Sequence, residues 1–136
     1  VCRGGGARLF RKACTEWGRV VAGGLGTGSD WVKALAMGAD AVAVASAALM
    51  GLGCDRYRVC HTGKCPVGIA TQDPKLRQNL SIDEGARRVA NYLAVTTEEL
   101  RSFCRVTGHA DIHELSAEDL ATTSSEISGH TDIRHT

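Results

Sequence analysis

The chain has 136 residues, 43% of them hydrophobic and 23% charged, enough for one domain with a core of its own. Sixteen basic residues against fifteen acidic ones leave a formal net charge of +1, which gives no electrostatic hold on nucleic acid or an anionic membrane. The longest apolar stretch, "ADAVAVASAALMGLG" from Ala39, contains Asp40 and is too short and too rich in Ala and Gly to span a bilayer. No cationic signal-like segment precedes it, so a soluble, cytoplasmic protein is expected.

In chain order, residues 1–18 ("VCRGGGARLFRKACTEWG") hold three consecutive glycines and little periodicity, and read as a chain entered part-way. "RVVAGG", residues 19–24, is a β-branched run closed by glycines and predicts a strand. "GTGSDWVKALAMG" predicts a helix, with Ser29 as N-cap, Val32, Leu35 and Ala36 on one face, and Gly38 as the stop. "DAVAVAS", residues 40–46, predicts a second strand. Strand, helix and strand make a βαβ unit with parallel strands, and their almost continuous apolar character predicts cover on both faces. Two parallel strands do not make a stable sheet alone. The missing partners are expected from the remainder of a barrel rather than from another chain.

The next segment, "GCDRYRVCHTGKCPVG" (residues 53–68), places Cys54, Cys60 and Cys65 in the spacing C-x5-C-x4-C, with Pro66 directly after the last. The chain has six cysteines in all, the others being Cys2, Cys14 and Cys104. With no secretory signal and enough apolar residues for a core, a disulfide framework is not expected. Structural zinc uses two ligand pairs at shorter spacing, and His61, the candidate fourth ligand, adjoins Cys60; neighbouring side chains seldom converge on one tetrahedral ion. Merely buried thiols fit the polar surroundings of Asp55, Arg56, Arg58, His61 and Lys64 no better. An iron–sulfur cluster fits best, because each iron of a cuboidal cluster needs one thiolate. Three cysteines therefore match a 3Fe–4S cluster, or a 4Fe–4S cluster with one open iron. Pro66 fixes the backbone as it leaves, Gly63 and Gly68 let the loop wrap closely, and the basic side chains offset the charge of sulfides and thiolates.

Beyond the loop the chain turns helical. "SIDEGARRVANYLAV" opens on a capping box of Ser81 and Glu84, with Ile82, Ala86, Val89, Ala90 and Leu93 at helical spacing. "TTEELRSFCRVTG" predicts a second helix capped by Thr96 and Glu99, with Leu100, Phe103 and Cys104 inward and Gly108 as the stop. "SAEDLATTSSE" predicts a shorter helix capped by Ser116, and "ISGHTDIRHT" a polar, loosely ordered tail. Arg87 and Arg88 read as a solvated helix face. His109, Asp111 and His113, like His130, Asp132 and His135, read as capping or solvated groups, since no further ligand has metal spacing. Cys2, Cys14 and Cys104 read as unligated thiols.

The loop and its surroundings, "GLGCDRYRVCHTGKCPVGIATQDPKLR", resemble the cluster loop of the large subunit of glutamate synthase and its relatives in the FMN-binding glutamate synthase family. "AGGLGTGSDWVKALAMGADAVAVASAAL" is similar to the last part of that family's flavin-binding barrel. The resemblance covers residues 19–108 and implies an α/β fold: the C-terminal fragment of a (β/α)8 TIM barrel, then an iron–sulfur loop and C-terminal helices. Residues 1–52 would be the last strand and helix units, 53–74 the cluster loop, and 75–136 the helical segment and tail. It further implies FMN and a 3Fe–4S cluster, with Cys54, Cys60 and Cys65 as ligands and Gly23, Gly24, Ala45 and Ser46 at the flavin phosphate. Barrel phosphates do sit between the last two strands, although a glycine pair alone is equally a tight turn. The implied activity is glutamate formation from 2-oxoglutarate and ammonia derived from glutamine by a glutaminase domain or subunit. Ferredoxin or a nicotinamide-linked reductase subunit would supply electrons. Catalytic residues would lie upstream, so the chain by itself is expected to be inactive. N-methylglutamate synthesis by a large subunit-like protein, and a non-catalytic electron-transfer subunit, are the alternatives. The chain departs from the family's G-G-[LI]-R-T-G at Gly26, which takes the arginine's place and removes a cation near the phosphate; Trp31 replaces a smaller aliphatic, and residues 1–18 do not follow the family pattern.

Overall fold

The computed structural model describes residues 18–136; the readings made on residues 1–17, Cys2 and Cys14 among them, lie outside the described residues. The described residues divide into two compact units, the first of residues 18–44 and 97–136 and the second of residues 45–96. Among the described residues no helix is long and apolar enough to cross a membrane.

In the first unit, β1 (Val20–Ala22) pairs in parallel with β2 (Ala41–Ala43), Val21 facing Val42 in register, and α1 (Gly28–Ala36) crosses between them. The βαβ reading therefore holds. Asp40 fixes the start of the pair: its carboxylate accepts from the Arg19 N–H at 2.5 Å and from Arg19 Nε at 3.2 Å. Its N–H in turn donates to the Arg19 carbonyl. Contrary to the expected double cover, Val20, Ala22, Ala41 and Ala43 are exposed, Val20 at 59%. Each strand keeps an edge with no partner among the described residues. One crossover helix cannot roof both faces of a sheet, so the apolar pattern encodes cover that α1 alone does not supply.

The N-cap of α1 is Thr27 and not Ser29. Thr27 Oγ1 accepts from the Asp30 N–H, while the Asp30 carboxylate accepts from the N–H groups of Thr27 and Gly26 at 3.0 and 3.1 Å. This reciprocal box starts the helix two residues earlier and is worth about 1 kcal/mol. Gly28, Val32 and Ala36, four residues apart, form its buried face. Val32 and Ala36 join Cys104 and Leu115 in the core, with Leu100, Ile112 and Leu120 packed around them.

The two helices expected over 81–108 are one, α4 (Ile82–Thr107), of 26 residues. No glycine or proline interrupts it after Gly85, and buried Thr96, instead of capping, donates its hydroxyl to the Tyr92 carbonyl one turn back at 2.8 Å. Glu84 pairs with Arg87 and Arg88, and Glu98 with Arg101 and Arg105, along its solvated side. Gly108, at φ +81°, ends it as expected.

After α4, residues 109–120 make two single 3₁₀ turns, Ile112–Glu114 and Ala117–Asp119, each opened by a capping box: Asp111 with Glu114, Ser116 with Asp119. His109 Nε2 lies 3.0 Å from both Asp119 oxygens and ties the helix end to the second turn. Asp111 serves the capping role read for it, whereas His109, read as a capping or solvated group, is half-buried against Asp119. The short helix expected from Ser116 stops after one turn, because the chain turns extended at Leu120 and enters β3 (Ala121–Thr122). The tail is ordered, contrary to expectation. Ser124 caps α5 (Ser125–His130), and β4 (Arg134–His135) pairs in parallel with β3. Hydrogen bonds account for this order: the Thr136 N–H donates to the Thr122 carbonyl, and the Thr131 hydroxyl closes α5 by donating to the Ile127 carbonyl.

Candidate functional site

The unit of residues 45–96 carries the cysteine loop. Its base is α2 (Ser46–Leu52), packed on the N-terminal half of α4 through glycines: a Cβ on Gly85 would stand 2.7 Å from Leu52 Cδ1, and one on Gly51 would touch Tyr92. Gly53, at φ +116°, ends α2 and turns the chain into Cys54. The loop leaves through a 3₁₀ turn at Cys60–Thr62, closed by left-handed Gly63. It returns to α3 (Pro74–Arg77), whose N-cap Asp73 accepts from the Lys75 N–H at 2.8 Å. Asn79 Nδ2 donates to the Pro66 carbonyl at 2.8 Å, pinning the returning segment beside the last cysteine.

Cys54 is half-buried, Cys60 exposed and Cys65 buried, and all three are free thiols. Cys65 sits in a nest of backbone N–H groups. The Ala70 N–H does most to pull the thiol below its ordinary value of 9.0; burial opposes this, and the N–H groups of Ile69, Val67 and Gly68 add to it. This environment favours a thiolate, the form that ligates metal. Gly68 makes the nest possible. At φ +88° and buried, it would place a Cβ 2.6 Å from the Leu76 carbonyl, so only glycine fits. Among the described residues no three His, Cys, Asp or Glu side chains lie close enough to hold one metal ion. The loop thus gathers Cys54, Cys60 and Cys65 within twelve residues, with the Cys65 thiol held below its ordinary value, and does not converge them on a point. The nest over Cys65 was missed by reading the sequence, where its one signal was Gly68 three residues after the cysteine.

Gly23 and Gly24 follow β1 in the left-handed region, at φ +120° and +73°, exposed, with nothing within 4 Å of where a Cβ would be. That open backbone at the C-terminal end of a parallel strand is the kind of surface a phosphate group approaches. Ala45 and Ser46, also exposed, lie just past β2, Ala45 as N-cap of α2 with no side-chain cap bond and Ser46 as its first residue. The turn after Gly24 is held by the Asp30 carboxylate on Gly26 and Thr27, and by the Trp31 indole, which donates to the Leu25 carbonyl at 3.3 Å. The Thr27 hydroxyl, donating to Asp30 at 2.8 Å, does most to keep that carboxyl below its usual range. The two positions that depart from the family pattern, Gly26 and Trp31, therefore both belong to the support of this turn.

Residues 17–110 match the family model described as a conserved region in glutamate synthase, a span that holds every residue of both candidate sites. The chain belongs to the glutamate synthase family. Similar proteins include an archaeal-type glutamate synthase [NADPH] of Thermotoga maritima, 51% identical over 82 residues, covering 60% of this chain and 16% of that protein. A glutamate synthase large subunit-like protein of Rhizobium meliloti is 38% identical over 130 residues, 84% of this chain and 29% of that protein. An archaeal glutamate synthase [NADPH] of Methanocaldococcus jannaschii is 42% identical over 96 residues, 71% of this chain and 19% of that protein. This glutamate synthase family chain thus spans less than a third of the length of the relatives it matches.

Proposed function

We propose that the chain is the C-terminal part of a glutamate synthase-like oxidoreductase, holding a 3Fe–4S cluster on Cys54, Cys60 and Cys65 and one side of an FMN phosphate site on Gly23, Gly24, Ala45 and Ser46. The observation that carries this reading is the family match running unbroken through the cysteine loop, with the Cys65 sulfur set among four backbone N–H groups. In this reading residues 1–52 are the last strand and helix units of a (β/α)8 barrel, 53–74 the cluster loop and 75–136 the helical segment. The parallel pair β1–β2 with its exposed apolar residues supports it, because a barrel supplies both the neighbouring strands and the cover such a pair needs.

A bound cluster and flavin would supply the electron transfer needed for reductive formation of glutamate from 2-oxoglutarate and glutamine-derived ammonia. The residues of this chain bind and orient. Cys65 offers a sulfur whose thiolate is favoured by backbone N–H groups, Cys54 and Cys60 the other two sulfurs, and Pro66, held through its carbonyl by Asn79, fixes the return of the loop. Gly23 and Gly24 leave backbone room at the strand end. Ferredoxin or a nicotinamide-linked reductase as electron source, and a glutaminase domain or subunit as ammonia source, complete the proposed system. The wording [NADPH] in the names of the Thermotoga and Methanocaldococcus proteins supports the nicotinamide route.

The test is iron and acid-labile sulfide content, with EPR, on anaerobically purified protein beside Cys60→Ser. About three irons per chain, an oxidised-state EPR signal and the loss of both in the variant are expected. Zinc in place of iron, or no metal and no change in the variant, would overturn the cluster.

A further inference from the structure

The turn that follows Gly23 and Gly24 is clamped through a single peptide group. The Leu25 carbonyl accepts from the Trp31 indole N–H at 3.3 Å, and the Gly26 N–H, at the other end of the same peptide unit, donates to the Asp30 carboxylate at 3.1 Å. A planar peptide held at both ends cannot turn over. The clamping residues are themselves fixed, since the N–H groups of Asp30 and Trp31 both donate to the Thr27 carbonyl in the first turn of α1, at 3.1 and 3.2 Å. Gly26 is where such a hold matters, because a residue without a side chain leaves the backbone around it freest to turn. Directly before the clamp stand Gly23 and Gly24, with nothing within 4 Å of a built Cβ at either, so their outer side is open to a ligand. Gly26 and Trp31 are also the two positions of this turn that depart from the family pattern. The freedom introduced at one is met by a donor introduced at the other, which an aliphatic residue could not supply.

We propose that Trp31 is a positioning residue for the flavin phosphate: by holding the Leu25 carbonyl it fixes the Leu25–Gly26 peptide, and with it the backbone of Gly23 and Gly24, in the conformation that receives the phosphate. This rests on the reading of Gly23 and Gly24 as one side of that phosphate site. With the clamp in place the backbone is set before the ligand arrives, and binding spends nothing on ordering the turn. Without the indole donor only part of the population is competent, and the apparent affinity falls by that fraction. In place of the arginine's charge, the chain offers a backbone of fixed shape.

The test compares the parent with Trp31→Phe, which keeps an aromatic ring and removes the N–H, and with Trp31→Leu, which removes both. Dissociation constants of FMN and riboflavin, which differ by the phosphate alone, are measured on protein freed of flavin, together with amide hydrogen exchange at Gly26 and the urea midpoint. In both variants FMN is expected to bind about fivefold more weakly, the size of one lost hydrogen bond, with riboflavin unchanged and exchange at Gly26 faster before any ligand is added. A merely structural role would instead lower the urea midpoint and weaken FMN and riboflavin together, and that result overturns the proposal. Faster exchange with FMN affinity unchanged also overturns it and leaves the phosphate site standing. Unchanged exchange at Gly26 in Trp31→Phe would show that the indole does not restrain the peptide. If the parent holds FMN no tighter than riboflavin, the phosphate site itself falls, and the positioning role with it.

Discussion

At the scale of single residues, the glycines divide by what surrounds them. Gly68 and Gly63 both lie in the left-handed region of the cysteine loop, but only Gly68 is enclosed, with Leu76 O and Leu80 N at 2.6 and 3.1 Å from a built Cβ. Gly68→Ala is expected to cost about 3 kcal/mol in urea unfolding, the sum of backbone strain and overpacking. Gly63→Ala meets nothing within 4 Å and is expected to cost about 1 kcal/mol. The same substitution at Gly68 disturbs the N–H groups that hold Cys65 below 9.0. The pH profile of iodoacetamide reaction at Cys65 should therefore move up in Gly68→Ala and stay in place in Gly63→Ala. Equal costs for the two substitutions would show that enclosure of Gly68 does not matter.

At the scale of elements, α4 is decided by what is missing from its sequence as much as by what is present. Thr96 and Glu99 have the spacing of a capping box, yet the helix continues, since the preceding residues are already helical and Thr96 finds the Tyr92 carbonyl at 2.8 Å. A cap is chosen only where the backbone before it is extended. Thr97→Pro separates the two structures. At the first position of a new helix proline is tolerated, whereas inside a continuous helix it removes a hydrogen bond and clashes, at about 3 kcal/mol or more. We expect the latter, read as a lowered urea midpoint with loss of helical circular dichroism; an unchanged midpoint would restore the two-helix description.

At the scale of the whole molecule, acid stability is set by carboxylates held below their ordinary values: Asp119 by the Ser116 N–H and then His109, Asp40 by Arg19, Asp30 by Thr27, and Glu98 by Arg101. A group with a depressed folded pKa contributes stability that is fully present above its unfolded value, 3.8 for Asp and 4.5 for Glu, and is lost as pH falls through the folded value. Stability is therefore expected to be level above pH about 5 and to decline below about 4, with Asp119→Asn flattening the decline. A decline as steep in the variant as in the parent would remove Asp119 from the account. The exposed apolar strands act at this scale too: with less than a third of each relative's length matched, the sheet's remaining neighbours are those the barrel proposal assigns to the rest of the polypeptide.

The βαβ unit, the stop glycines at Gly38 and Gly108, the cysteine spacing and the family itself were all legible in the sequence, because each depends on residues near one another in the chain or on a contiguous motif. Cover of the strands, the single α4, the order of the tail and the nest over Cys65 were decided by tertiary structure. In each, a local preference met a partner distant in sequence or an already formed backbone. Thr122 pairs the end of the tail, Leu76 and Leu80 enclose Gly68, and α1 roofs only part of the sheet. Local pattern records what a residue can do; the hydrogen bonds and contacts that compete for it are set by the fold.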